Sequence, residues 1–109
     1  MAGGGGQIVS APFDTVGCAE VTWSYMGKRG PEDPDPGDFL LFEWFDGIDW
    51  VLFESWEGDG NADPTPLLRS GNETDPLIFQ SALQVRFTSQ GSGTGFDNFY
   101  VDDVTVGCL

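Results

Sequence analysis

This chain of 109 residues contains two carboxylates and two indole rings close together in sequence: Glu43, Trp50, Glu54 and Trp56. A facing pair of carboxylates is the machinery of glycoside hydrolysis, in which one protonates the leaving oxygen and the other attacks or activates water. Tryptophan rings can instead stack on sugar rings, and carboxylates accept hydrogen bonds from sugar hydroxyls. Because so short a chain leaves little surface for a cleft, we expect binding, with a small glycoside hydrolase as an alternative.

A second acidic group surrounds the last segment with strand character and comprises Asp97, Asp102 and Asp103. Val104 and Val106 alternate as the core residues of a strand would, and the same alternation places Asp102 on the core face. An unpaired carboxylate is very costly there. Something must therefore compensate for Asp102.

Three arrangements would satisfy Asp102. A β-bulge would turn it outward, Arg86 would pair with it, or a structural calcium ion would bind it together with Asp97, Asp103 and, by proximity, Asp14. The chain has no histidine, which suits calcium because this ion prefers oxygen ligands. Without a metal, Asp102 would accept backbone hydrogen bonds and the other carboxylates would be solvated.

The charge balance excludes several classes of partner. Eighteen acidic residues against four basic ones give a net charge of −14. Nucleic acids and anionic membrane surfaces require clustered Lys and Arg, and no segment is apolar for long enough to insert into a membrane. The acidic segments Glu32–Asp38 and Glu57–Asp63 lack the residue order of an EF-hand, so solvated charge is a simpler interpretation than calcium binding.

The two cysteines, Cys18 and Cys108, are predicted to form a disulfide, although two separate buried thiols are the alternative. Closing so long a loop would stabilise the fold by about 4 kcal/mol in the chain-entropy model. A structural disulfide is typical of an oxidising, extracellular compartment. In that compartment Asn72, which begins the sequon Asn72-Glu73-Thr74, would be a candidate for glycosylation.

The apolar pattern is that of strands and not of helices. Six segments are rich in Val, Phe, Trp, Tyr and Thr and are bounded by Gly, Pro, Asp or Asn. They are Gln7–Phe13, Glu20–Met26, Phe39–Phe45, Ile48–Trp56, Ile78–Thr88 and Phe99–Val106. Antiparallel strands joined by long polar loops predict an all-β sandwich of two sheets.

Asp46-Gly47 predicts a two-residue type I′ hairpin turn. The resulting register pairs Phe45 with Ile48, Glu43 with Trp50 and Leu41 with Leu52. One face of the hairpin is then wholly apolar and is predicted to face the core: Leu40, Phe42, Trp44, Val51 and Phe53. The other mixes apolar and acidic residues: Phe39, Leu41, Glu43, Trp50, Leu52, Glu54 and Trp56. We predict that this mixed face binds the ligand.

Several motifs together resemble bacterial extracellular modules similar to the MAM domain: Asp46-Gly47 with Trp50, Val85-Arg86-Phe87, and the closing segment Asp97–Val104. The resemblance spans Ile8–Val106. It implies a jelly-roll sandwich of the concanavalin-A-like class and, near the closing motif, a structural cation. An additional N-terminal strand region of the family is replaced here by Met1–Gln7, so we expect one edge of the sandwich to be open.

The domain prediction is a flexible Gly-rich segment, residues 1–7, followed by one β-sandwich domain, residues 8–109. We expect a non-catalytic module, extracellular or at the cell surface, that acts in adhesion or binds a glycan or protein partner. The alternative is a structural subunit of a homo-oligomeric fibre or matrix, in which the open edge accepts a strand from another copy.

Overall fold

The computed structural model describes residues 7–30, 37–90 and 99–109 and consists of β-strands with one short 3₁₀ helix at Pro76–Ile78. The strands are β1 (Gln7–Val9), β2 (Val21–Arg29), β3 (Phe39–Phe45), β4 (Trp50–Glu57), β5 (Leu67–Glu73), β6 (Val85–Gln90) and β7 (Phe99–Cys108). They form a four-stranded sheet in the order β1-β6-β3-β4 and a three-stranded sheet in the order β5-β2-β7. All pairings are antiparallel. The predicted all-β sandwich is confirmed.

The core lies between the two sheets. Strand β2 alternates buried and half-buried residues along its length, as a strand with one face on a core must. Leu40, Phe42 and Trp44 on β3 are fully buried, as predicted. Aromatic rings fill the centre: Phe42 stacks on Phe87 with centroids 4.4 Å apart, and Trp23 meets Phe42 edge-on at 5.4 Å.

The sequence pattern missed β5, because Ser70-Gly71-Asn72 has the composition of a loop. Gly71 pairs with Trp23 on β2, and a Cβ atom at Gly71 would lie 2.6 Å from Cζ2 of Trp23. The indole ring thus covers the bare glycine backbone and supplies the packing that the glycine lacks. A strand that depends on a neighbour's side chain in this way leaves no signal in its own sequence.

Two other predicted strands were too long. Gln7–Phe13 forms a ladder only over β1, with a separate bridge between Phe13 and Leu83. Ile78–Thr88 starts in the 3₁₀ helix, where the Asp75 side chain caps the N–H of Leu77, and becomes a strand only at Val85. Gln7, the first described residue, pairs with Thr88 of β6.

The predicted hairpin register between β3 and β4 is wrong. Asp46 to Asp49 form a longer loop, in which Oδ1 of Asp46 accepts hydrogen bonds from the N–H groups of Ile48 and Asp49 at 2.8 and 2.7 Å. Phe45 therefore pairs with Trp50. A β-bulge follows, because Phe42 pairs with Glu54 while Glu43 pairs with Leu52, which leaves Phe53 as the extra residue.

Candidate functional site

The bulge at Phe53 divides the four predicted ligand contacts between the two faces of the sheet. Directly paired residues of antiparallel strands share a face. Trp56 pairs with Leu40 and Glu54 with Phe42, and both partners are core residues. Trp56 and Glu54 therefore face the interior, which contradicts their predicted place beside Glu43 and Trp50.

Glu54 takes part in a hydrogen-bonded group inside the sandwich. It accepts a hydrogen bond from the Tyr25 hydroxyl, and Arg69 of β5 donates two more at 2.9 and 3.1 Å. Burial and the adjacent Glu54 carboxylate hold the pKa of Tyr25 far above its ordinary value, and the Glu54 carboxylate also raises the pKa of Arg69. Tyr25 therefore stays protonated as a donor, and this group links the two sheets.

Trp56 lies beneath two guanidinium groups. Those of Arg69 and Arg29 lie 4.6 and 5.5 Å from the Trp56 ring centroid, within cation–π range. Only 6% of Trp56 is exposed. The ring is part of the core and is closed to a sugar.

Arg29 also pairs with two of the three acids in the segment predicted to be solvated, Glu57–Asp63. Its guanidinium donates two hydrogen bonds to Asp63, both at 2.9 Å, and forms an ion pair with Asp59 at 3.2 Å. The hydrogen bonds from Arg29 hold the pKa of Asp63 below its usual range. The loop thus has a resident cation supplied by the protein itself, and its acids are not simply solvated.

Glu43 and Trp50 stay on the outward side of the four-stranded sheet, as predicted. We call this side the outer face and define it by Val9, Leu41, Glu43, Phe45, Trp50, Leu52, Arg86 and Thr88, which share that side through their pairings. Glu43 accepts hydrogen bonds from Arg86 at 2.9 Å and from Thr88 at 3.1 Å and is 8% exposed. The Arg86 guanidinium lies 4.2 Å from the Trp50 ring centroid.

The outer face is consequently apolar around one internal ion pair. Leu52 and Val9 are 48% and 45% exposed, and Phe45 packs on Trp50 with centroids 5.2 Å apart. Because Arg86 neutralises Glu43 and covers one side of Trp50, little charge remains for a ligand to meet. Such a surface suits contact with apolar side chains better than hydrogen bonding to sugar hydroxyls.

Of the three arrangements open for Asp102, the structure shows the bulge. Ser24 pairs with Thr105 while Met26 pairs with Asp102, so Tyr25 faces two residues of β7. Asp103 adopts a positive φ of 52° at this point. Asp102 is exposed and accepts a hydrogen bond from the Tyr100 hydroxyl, which raises the pKa of Tyr100. Asp102 therefore needs no metal ion to compensate for burial.

The predicted calcium ligands do not come together within the described residues. Asp14 caps the N–H of Val16 in an early loop, Arg86 pairs with Glu43, and Asp97 lies outside the described residues. In ranges 7–30, 37–90 and 99–109, no group of three or more acidic or cysteine side chains is placed to hold a metal ion. Because Asp97 lies outside the described residues, calcium stays a prediction to be tested.

The disulfide between Cys18 and Cys108 is confirmed, with Cα atoms 5.3 Å apart. It joins the loop before β2 to the end of β7. Asn72 lies exposed on β5, an edge strand, where its amide donates to Glu20 at 2.7 Å. The sequon is thus accessible, and its modification stays a prediction.

The sequence pattern assigned no role to Arg29 and Arg69, and it considered Arg86 only as a partner for Asp102. Arg29, Arg69 and Arg86 each form an ion pair with an acidic residue and each lie over a tryptophan ring. Their scarcity in an acidic chain was the available signal, since a few cations among many acids are strongly drawn into pairs.

Comparison of the chain with protein-family models finds no match, and comparison with curated proteins finds no similar sequence. The resemblance to MAM-like modules therefore stays a prediction. Among the described residues, no helix has the length and apolar character to cross a membrane.

Proposed function

We propose that the chain is a non-catalytic extracellular module that binds a protein partner through its outer face. The apolar, half-exposed surface around Trp50 and Leu52 carries this proposal, because exposed apolar patches on small domains mark contact sites. The disulfide supports an extracellular location. A module that binds a protein partner in this way would act in adhesion or recognition at a cell surface.

A protein partner is favoured over a glycan by the state of the polar groups. Two of the predicted sugar contacts, Glu54 and Trp56, face the interior. Glu43 is occupied by Arg86 and Thr88. The separation of Glu43 and Glu54 onto opposite faces also speaks against a pair of catalytic carboxylates, which would have to flank the same bond.

Charge indicates the partner's chemistry. Because the chain has a net charge of −14, association is favoured by a partner that has Lys and Arg around an apolar centre. The apolar centre would cover Leu52 and Trp50, and the basic rim would meet the acidic surroundings. The encounter rate should therefore fall as salt is added.

A displayed peptide library, selected in parallel on the native chain and on Leu52→Asp, tests this proposal. We expect the native chain to enrich peptides with aromatic and basic residues, and we expect Leu52→Asp to weaken binding of the selected peptides about tenfold or more. Leu68→Asp is the matched control, since Leu68 is an exposed leucine on β5 of the other sheet. A glycan array is run alongside.

Equal affinity of the selected peptides for native chain and Leu52→Asp would contradict the outer face as the binding surface. If the native chain binds a glycan on the array and Trp50→Ala does not, the ligand of the outer face is a sugar and not a protein.

A further inference from the structure

The two sheets do not close equally on their two sides. Strands β4 and β5 contact each other at one side. At the other side an apolar pocket of about 170 Å³ opens between the edge strands β1 and β7. It is lined by Ile8, Ser10, Val85, Arg86, Phe87 and Val104.

Ile8 and Val104 form the mouth of this pocket. Ile8 pairs with the core residue Phe87, so its side chain faces inward, yet 44% of it is exposed. Val104 is 45% exposed. The apolar side chains of β1 and β7 thus line this pocket without closing it, and both stay half-exposed.

An additional strand could be added to the three-stranded sheet beside β7. Within the described residues β7 pairs only with β2, so the backbone N–H and C=O groups on its other side form a free edge. The bulge at Asp103 and Val104 interrupts this edge, and Thr105–Cys108 follow it in regular register with β2. A strand added there would gain main-chain hydrogen bonds and place an apolar side chain in the pocket between Ile8 and Val104.

The charge around this edge favours a basic peptide over a second copy of the chain as the added strand. Asp102 and Asp103 are exposed at the start of this edge. A second copy would bring the same two aspartates and a further net charge of −14, which opposes pairing. Lysine or arginine beside an apolar residue would instead complement both the aspartates and the pocket.

We propose that the free edge of β7 at Thr105–Cys108 binds an extended basic peptide of another protein as an additional strand, with one branched apolar side chain in the pocket. This site is separate from the outer face and does not depend on the function proposed above.

Titration calorimetry with a synthetic peptide tests the proposal on the full chain. The peptide has about nine residues, within the usual range of strand lengths, and lysine and valine alternate along it. We expect one peptide to bind per chain, with slowed amide exchange at Thr105–Cys108. Two further peptides of the same sequence are N-methylated on alternate residues, one on its lysines and the other on its valines. Both keep the charge, but only one of them loses the N–H donors that face β7. We expect that peptide to bind about tenfold more weakly.

Val104→Lys should abolish the calorimetric binding, and Ile8→Lys provides a second variant in case Val104→Lys does not fold. Leu68→Lys on β5, at the other edge of the same sheet, adds the same charge and should bind as the native chain does.

Equal binding of both N-methylated peptides would reduce the interaction to unspecific attraction between opposite charges and overturn the proposal. If the native chain self-associates and Val104→Lys does not, the edge binds a second copy of the chain, and the proposal of a basic peptide is overturned. Loss of binding in Leu52→Asp but not in Val104→Lys would assign the peptide to the outer face.

Discussion

At the residue scale, the chain's few arginines neutralise acidic groups that would otherwise be buried alone. Glu54 is half-buried inside the sandwich and has Arg69 and Tyr25 as partners. Asp63 has Arg29, and Glu43 has Arg86. A buried carboxylate without a partner costs several kcal/mol, roughly as much as the whole stability of a small domain. Loss of any one of these three arginines is therefore expected to lower the stability of the fold.

Asp63→Asn should lower the free energy of unfolding at neutral pH and make that free energy less dependent on pH in the acid range. Arg29 depresses the pKa of Asp63 in the folded chain. The stabilisation is thus present above the unfolded pKa, about 3.9, and is lost as pH falls through the lower folded value. We expect a loss of about 2 kcal/mol at pH 7, in the range of hydrogen bonds to charged groups, measured by urea unfolding.

Below the folded pKa of Asp63 the native chain and Asp63→Asn should converge in stability. Asp49→Asn, an exposed change in the β3–β4 loop, controls for the loss of one negative charge. A constant difference between the native chain and Asp63→Asn across the acid range would show that Asp63 acts through packing and not through its charge.

At the element scale, two bulges decide which side chains are inside. The extra residue Phe53 brings Glu54 and Trp56 into the core, and the bulge at Asp103 turns Asp102 out. Because side chains alternate with a period of two, one inserted residue exchanges the two faces for the rest of the strand. Each bulge thus reverses the face assignment beyond it.

Gly27→Ala tests whether Trp56 is packed on the opposite sheet. A Cβ atom at Gly27 would lie 2.5 Å from Cζ3 of Trp56. We expect Gly27→Ala to destabilise the chain by about 1–3 kcal/mol, as overpacking does. In a Trp56→Leu background the additional cost should be smaller, so the double-mutant cycle measured by urea unfolding should show coupling.

Gly107→Ala is the matched control on β7, where the nearest atom to a new Cβ is Oγ1 of Thr22 at 3.1 Å. Its effect should add to that of Trp56→Leu. Additivity of Gly27→Ala with Trp56→Leu would contradict the inward position of Trp56.

At the scale of the whole molecule, the Cys18–Cys108 disulfide closes a loop of sequence separation 90. It joins the entry to β2 with the end of β7, two neighbouring strands of the three-stranded sheet. Cross-linking so long a loop restricts the unfolded chain and should contribute about 4 kcal/mol. Reductant, or replacement of both cysteines by serine, should lower the melting temperature strongly in a calorimetric scan.

An unchanged melting temperature in reductant, with the free thiols verified chemically, would contradict a structural role for the disulfide. The same scan with calcium and with chelator tests the predicted structural cation. A higher melting temperature in calcium would support the cation near Asp97 and Asp103, and equal melting temperatures would remove it.

The amino-acid pattern predicted the all-β sandwich, the disulfide and the burial of Leu40, Phe42 and Trp44, and the structure confirms all three. Local alternation, turn residues and cysteine content are enough for these features. The faces that Trp56, Glu54 and Asp102 occupy could not be predicted in this way, because the position of a bulge depends on how the partner strand packs. The same holds for β5, whose Gly71 is covered by Trp23 from another strand. Contacts between distant segments, which no local pattern records, therefore decide which residues a partner can reach.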